Sequence, residues 1–244
     1  ISNEILDTGH FEDPDAKSTE QAVYQAYITR HEEVISEVLE QLGNPNAPAY
    51  KECSKEMQAY LSYVISDLLT TNAKILQTDK IDTKDKTYLA WEEDETISLY
   101  TYLNYAISQN WIDTSKLKEY MDEESSYSDL DETYQGLVNF IGKKLSTDSG
   151  FEKLIYKYMI KTGRITGTQI CLLLYEQEVL DYDETQYNNL VSGATGPYDF
   201  IRGKIQTLEI TPGQLGLEPC TGSVVVTDVN TGEVLACVSY PGYD

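Results

Sequence analysis

The pattern of apolar and polar positions divides the chain into a long helical part and a short strand-forming end. Up to about Lys17 the sequence is polar and acidic with little periodicity, and reads as an acidic tail or a remnant of an upstream region. From Ser18 the period becomes helical. Ser18 and Gln21 have the spacing of a capping box, and Val23, Ala26, Tyr27, Val34, Val38 and Leu42 follow at helical intervals until Gly43-Asn44-Pro45 stops them. After Pro48 a second stripe, Met57, Tyr60, Leu61, Val64, Leu68 and Ile75, keeps the same period as far as the polar loop TDKIDTKDK. Two long helices joined by a short proline-containing turn predict an antiparallel pair. Further helices are predicted over 95–110, 115–121, 129–145, 150–162, 167–177, 183–191 and 198–208, with Gly163 and Gly193 placed as C-caps.

The period changes to two only near the end. Ser223-Val-Val-Val-Thr-Asp and Glu233-Val-Leu-Ala-Cys-Val-Ser are β-branched runs separated by Val229-Asn230-Thr231-Gly232, a turn with the glycine an antiparallel hairpin wants. In the second run Val234, Ala236 and Val238 face one way, Leu235 and Cys237 the other, so both faces are apolar. Such a hairpin belongs inside a sheet covered on both sides. It is expected to pack on the helical body, to pair with a second molecule or to be poorly ordered, and it indicates a chain cut within a domain. The fold class is therefore mainly α, a multi-helix domain with long antiparallel helices followed by a C-terminal β-hairpin.

Composition narrows the functions. Hydrophobic residues at 41% and aromatics at 11% suffice for a packed core. The formal charge of −23, from 41 acidic against 18 basic residues, repels phosphate backbones and anionic lipid headgroups, which excludes nucleic acid as a partner. No apolar run is long enough for a membrane span, and no signal-peptide pattern is visible. The opening Ile1 and the ending Pro241-Gly242-Tyr243-Asp244 suggest a piece of a longer protein, upstream of which any anchor or signal would lie. Cys53, Cys171, Cys220 and Cys237 form no CxxC pair, so no zinc site is expected. Cys171 and Cys237 read as small buried hydrophobes, and the pairing of the cysteines stays open.

Several motifs imitate chemistry. Ser115-Lys116-Leu117-Lys118 fits SxxK and Lys161-Thr162-Gly163 fits KTG, two elements of the penicillin-recognising serine site. That site needs its KTG on a strand, whereas here it ends an amphipathic helix, and the only nearby S-x-N, Ser108-Gln109-Asn110, precedes the SxxK. His10 and His31 are the only histidines, and no G-x-S-x-G supports a triad. The carboxylates of 92–95 and 122–124 read as solvated faces. Asp228 to Glu233 reads as a hairpin turn rather than a calcium loop, and 161–167 lacks phosphate-loop spacing. Among twenty tyrosines and two tryptophans, Tyr24, Tyr27, Tyr60 and Tyr100 read as core-edge residues, with sugar stacking through Trp91 or Trp111 as the functional alternative. No catalytic, cofactor-binding or metal-ligating residue is assigned.

The segments SVVVTD, VNTG, EVLACVS and YPGYD, in that order and without insertion, resemble the opening of the transpeptidase domain of class B penicillin-binding proteins. ITPGQLGLEPCTGS before them is similar to that family's connector, so the resemblance covers about 205–244. QICLLLY (169–175) looks similar to helical linkers in some Gram-positive members. After the acidic tail or upstream remnant at 1–17, the resemblance implies a helical non-catalytic pedestal or linker at 18–204, a connector at 205–222 and the first two strands of a truncated transpeptidase domain at 223–244. It further implies a parent enzyme that cross-links peptidoglycan through a serine ester. That parent is expected outside the cytoplasm, anchored by an upstream segment, serving elongation, division or sporulation beside a lipid II-polymerising membrane protein. The family's nucleophile, S-x-N and KTG have no matching position here, so this chain is expected to be inert and to position the transpeptidase and contact partners, with peptidoglycan and self-association through the hairpin as further partners. The alternative is a free-standing helical protein- or glycan-binding scaffold.

Overall fold

The computed structural model of the chain describes residues 6–121, 130–211, 222–229 and 231–240. It is mainly helical and ends in a two-stranded antiparallel hairpin. The elements are α1 (Ser18–Gly43), α2 (Lys55–Tyr63), a π-helix (Val64–Asn72), α3 (Lys86–Glu92), α4 (Leu99–Ser108), α5 (Leu130–Leu145), α6 (Ser149–Lys161), α7 (Gly167–Glu176), α8 (Glu184–Val191) and α9 (Pro197–Gln206), then β1 (Gly222–Thr227) and β2 (Val234–Tyr240). The chain forms two compact units, Gln25–Arg164 and, from two separate stretches, Ile1–Tyr24 with Ile165–Asp244.

Within the unit Gln25–Arg164 most helix starts are fixed by a side-chain oxygen of the preceding residue. Ser54 accepts from Met57 N–H, Asp85 from Thr87 and Tyr88, Ser98 from Thr101 and Asp148 from Phe151. Each cap contributes about 1 kcal/mol. The core they frame is rich in tyrosine: Tyr60, Tyr102 and Tyr156 are almost fully buried beside Phe151, Leu61 and Leu103. Tyr27 stacks on Tyr156 with ring centroids 4.4 Å apart, and Trp91 stacks on Tyr102 at 5.2 Å.

Two features of this unit depart from the periodic reading. The second apolar stripe is not one regular helix: α2 passes into π winding at Val64, which brings Val64, Ile65, Leu68 and Leu69 to the buried side. Thr70 and Thr71 donate their hydroxyls to the carbonyls of Ile65 and Ser66, five residues back, at 2.7 and 2.8 Å. Ile75 is buried beyond the helix, and Leu76 pairs with Ile112 in an isolated bridge. The expected helix over 115–121 is 3-10 (Thr114–Tyr120), and α3 has no counterpart among the predicted helices.

Arg30 is the main buried charge on α1 in this unit. At 7% exposure it donates to Glu33, to Glu37 at 2.8 Å and to Glu56 at 2.9 Å. Burial opposes its charge, and the bonds to Glu37, Glu56 and Glu33 outweigh burial, so the guanidinium holds its proton more firmly than usual. Glu56 also accepts the Tyr60 hydroxyl at 2.7 Å, which ties the ion cluster to the core.

In the other unit α7 and α9 repeat one design. Each helix has ten residues. Each is followed by a non-glycine residue in the left-handed region, Glu178 (φ 56°) and Leu208 (φ 61°). Each then returns a buried apolar residue, Leu180 or Ile210, whose N–H donates to Leu174 or Lys204. The helices before them, α6 and α8, both end at left-handed glycines, Gly163 and Gly193, as the sequence pattern predicts. The stretch expected as an acidic tail is instead built into this unit: Leu6, Phe11 and Ala16 are buried and a 3-10 turn spans Gly9–Glu12. The apolar side chains at this spacing are too few to register as a period.

One glycine gives a test of the packing. A Cβ at Gly150 would collide with the Tyr63 hydroxyl, which donates to Asp148, the cap of α6. In an open helix Gly→Ala stabilises by about 1 kcal/mol. Here Gly150→Ala is expected to lower the melting temperature, and in a Tyr63→Phe background the same change should become neutral or stabilising. A stabilising effect of Gly150→Ala in the wild-type background would refute the contact.

Candidate functional site

The hairpin is the part of the structure with surface chemistry that its own unit does not satisfy. β1 and β2 pair in the register Val224↔Val238, Val225↔Cys237 and Val226↔Ala236, with an irregularity between Val226 and Thr227. The turn is held by Gly232 N–H donating to the Asp228 carbonyl at 2.8 Å, with Gly232 at φ 75° and Thr231 N–H on Asp228 Oδ1 at 3.0 Å. Asp228 therefore serves the turn, as expected. Side chains alternate between the two faces, so Val224, Val226, Ala236 and Val238 share one and Val225 and Cys237 the other. Val224 is 62% exposed, Val225 57% and Leu235 63%. Among the described residues no helix covers these side chains, so packing on the helical body, one of the expected outcomes, is not seen there. Cys237, expected to be buried, is exposed for the same reason, whereas Cys171 is buried as expected.

The motifs that imitate the penicillin-recognising site lie on ordinary structural positions. Ser115 is exposed and donates its hydroxyl to Asp113 Oδ1 at 2.6 Å, the residue that caps its 3-10 turn. Lys116 donates to the carbonyls of Ala73 and Lys74 at 2.9 Å, closing the chain after the π-helix. Lys161, Thr162 and Gly163 form the end of α6, with Thr162 as its C-cap. Ser108 donates to the Tyr105 carbonyl. Trp91 and Trp111 are 6% and 5% exposed, so neither offers an open ring face for a sugar to stack on. Burial raises the Cys171 thiol to about 11 and also raises Cys53, which makes both poor nucleophiles. Cys220 and the carboxylates at 122–124 lie outside the described residues, in which no disulfide occurs.

A second constellation, which sequence reasoning missed, gathers around the start of α1. Glu176, at the end of α7, accepts from Thr19 N–H at 3.1 Å, the Thr19 hydroxyl at 2.5 Å and Glu20 N–H at 3.2 Å. Glu20 is fully buried and accepts from Lys17 N–H at 2.7 Å, Gln177 Nε2 at 2.9 Å and His10 Nδ1 at 2.8 Å. Gln177 also pairs with both backbone groups of Asp7 at 2.8 Å. The helix starts one residue earlier than the expected capping box requires: Lys17 accepts the first helical bond, from Gln21, and the Glu20 carboxylate reaches back to it. The only local signal was the spacing of Lys17 and Glu20, since the rest comes from residues about 157 positions away.

A cleft of about 470 Å³ beside this clasp is lined by Asp7, His10, Asp15, Lys17 and Glu176. A ring nitrogen of His10 and carboxylate oxygens of Asp13 and Asp15 lie within 4.8 Å of one another, the one grouping among the described residues with metal-ligand composition. Both aspartates are exposed and Nδ1 of His10 is taken by Glu20. The His10 ring binds its proton more tightly than usual, which opposes a metal, so none is assigned.

No protein-family model matches the chain, and neither a curated protein nor a solved structure matches it.

The clasp has a pH signature. His10 is held above its ordinary value by the bond to Glu20, against burial and aided by Asp15 and Asp13. Its contribution to stability is complete below about pH 6.5 and is lost as pH rises through the folded value. Burial pushes Glu20 up, but the bonds from Lys17, Gln177 and His10 bring it below the ordinary carboxylate value. Its contribution is complete above pH 4.5 and is lost as pH falls through the folded value. The gap in melting temperature between wild type and His10→Ala should therefore be largest near pH 6, roughly, and narrow on the alkaline side. A gap that does not change with pH would mean that His10 acts by packing alone.

Proposed function

We propose that the chain is the helical, non-catalytic region of a penicillin-binding protein together with the first two strands of its transpeptidase domain. In this reading the helical units set the enzyme's catalytic domain at its working distance from the membrane and contact a lipid II-polymerising partner, and the parent acts outside the cytoplasm from an upstream anchor. The observation that carries the reading is the hairpin. The residues that resemble the family's opening strands are paired with each other in register, and both faces of the pair are apolar and uncovered. A two-stranded sheet of that kind is marginal by itself and is ordinary as the edge of a larger sheet with helices on its faces. The chemistry of the parent is a serine acyl transfer, and the SxxK and KTG of this chain, on an exposed 3-10 turn and at a helix end, have structural roles instead.

Labelled penicillin tests the family directly. The 244-residue chain is expected to take up no label, whereas the natural protein, captured from its source cells with antibodies raised against this chain, should be labelled covalently. A natural protein that remains unlabelled would remove the reading. The hairpin carries a separate expectation. The isolated chain should bind the neutral dye Nile red, and Val225→Lys with Leu235→Lys should abolish that binding while leaving the helical melting transition unchanged, since both side chains are already more than half exposed. Unchanged dye binding in the double variant would locate the apolar surface elsewhere.

A further inference from the structure

Residues 6–17 lie as a strap on the unit formed by Ile1–Tyr24 and Ile165–Asp244, and side chains do the fastening. The backbone bonds that shape the strap, Phe11 N–H to the Thr8 carbonyl, Asp13 N–H to His10 and Ala16 N–H to Asp13, all stay inside it. Its bonds to the rest of the unit each use a side chain. Gln177 accepts from Asp7 N–H and donates to the Asp7 carbonyl, both at 2.8 Å, and His10 Nδ1 meets the Glu20 carboxylate at 2.8 Å. Lys17 N–H donates to Glu20 at 2.7 Å, Lys17 Nζ to the Glu176 carbonyl at 2.6 Å, and Gln21 Nε2 to the Ala16 carbonyl at 2.7 Å. Among the described residues no backbone–backbone hydrogen bond crosses from 6–16 to α1 or α7.

The clasp around α1 divides into two parts that can act separately. The Glu176 carboxylate receives Thr19 N–H, the Thr19 hydroxyl and Glu20 N–H, so it caps α1 without help from the strap. The Glu20 carboxylate and Gln177 hold the strap. It can therefore leave while the start of α1 stays satisfied. The balance of forces on it is also unlike that on a helix. Ordering a chain costs entropy at every residue, and within the strap only Leu6, Phe11 and Ala16 are buried in return. The cleft of about 470 Å³ lined by Asp7, His10, Asp15 and Lys17 on the strap and Glu176 on α7 brings water to the seam, where it can replace the side-chain bonds as they break. Segments with few buried contacts and solvent at their hydrogen bonds open at a lower free energy than the unit that carries them.

We propose that residues 6–17 peel from this unit in one step while α1 and α7 stay folded, and so form an extensible tether between the chain before them and the helical units. Peeled and fully extended, the segment spans up to about 40 Å, at roughly 3.3–3.6 Å per residue. The use as a tether rests on the reading above, in which an anchor lies upstream: opening lets the helical units stand farther from the membrane, and rebinding of Leu6, Phe11 and Ala16 draws them back. The opening itself follows from the bonds of the strap and does not depend on the family.

Native-state hydrogen exchange on the 244-residue chain tests it, with the amides of Phe11, Asp13 and Ala16 followed as a function of urea below the unfolding transition and compared with Leu173 and Leu174 in α7. Expected is exchange of the three strap amides through a common opening that is faster than that of α7 and far less dependent on urea. Gln177→Ala removes both bonds to Asp7 and should accelerate Phe11, Asp13 and Ala16 alike by roughly tenfold, leaving Leu173 and Leu174 unchanged. None of those three touches Gln177, so loss of a local contact would not move them. The proposal is overturned if the strap amides share the urea dependence of α7, which would mean that strap and unit unfold together, or if Gln177→Ala accelerates Asp7 alone. The urea dependence of the wild-type chain decides the matter even if the variant does not fold. Penicillin labelling of the natural protein has no bearing on these rates, so failure of the strap and failure of the family reading are told apart.

Discussion

The start of an α-helix leaves four backbone N–H groups without partners, and α1 buries its own start. What satisfies it is a carboxylate at the end of α7: Glu176 receives Thr19 and Glu20, while Glu20 turns back to receive Lys17, His10 and Gln177. Both carboxylates are almost completely buried, a condition that is expensive unless every oxygen is bonded. Here every oxygen is bonded, and the donors come from two stretches of chain far apart in sequence. One unit of this protein is therefore assembled from residues before Tyr24 and after Ile165 because a helix terminus and its acceptor must meet. Leu6, Phe11 and Ala16 are buried in the same unit, so that apolar burial and the polar clasp act on one segment.

The unit Gln25–Arg164 solves a different problem with local means. Its helix starts carry their own caps at Ser54, Asp85, Ser98 and Asp148, so each helix is specified by residues adjacent to it. Its buried charge, Arg30, is compensated by three glutamates, and one of these reaches the core through Tyr60.

How much of this was legible follows the range of the interactions. The helices α4 to α9 show an apolar period and several end at glycines, and Gly163 and Gly193 do take the left-handed conformation their position suggests. The hairpin was legible down to its turn, because strand alternation and the Gly232 geometry are local. The π winding was hidden: Val64, Leu68 and Ile75 satisfy a regular helical period, and the distinction lies in the threonine hydroxyls that bond five residues back. Helix α3 is seven residues long, too short for a period to be seen. The clasp was hidden most completely, since nothing near Thr19 announces an acceptor in α7.

The hairpin poses the remaining physical question, because two opposing forces act on it. Its exposed valines and Leu235 favour association, either with further strands along its edges or with helices over its faces. The charge of −23 opposes the approach of a second copy of the same chain. That repulsion is screened beyond about 10 Å at 0.1 M salt, whereas the apolar attraction acts at contact and is not. Copies of the chain are therefore held apart chiefly at low ionic strength. In the proposed reading, further strands of the parent would be brought to the hairpin by covalent connection, at a cost that grows only slowly with the length of the connecting chain. Charge and tether together favour an intramolecular sheet over self-association. A hairpin apolar on both faces is thus tolerable in a strongly acidic protein when its covering elements belong to the same chain.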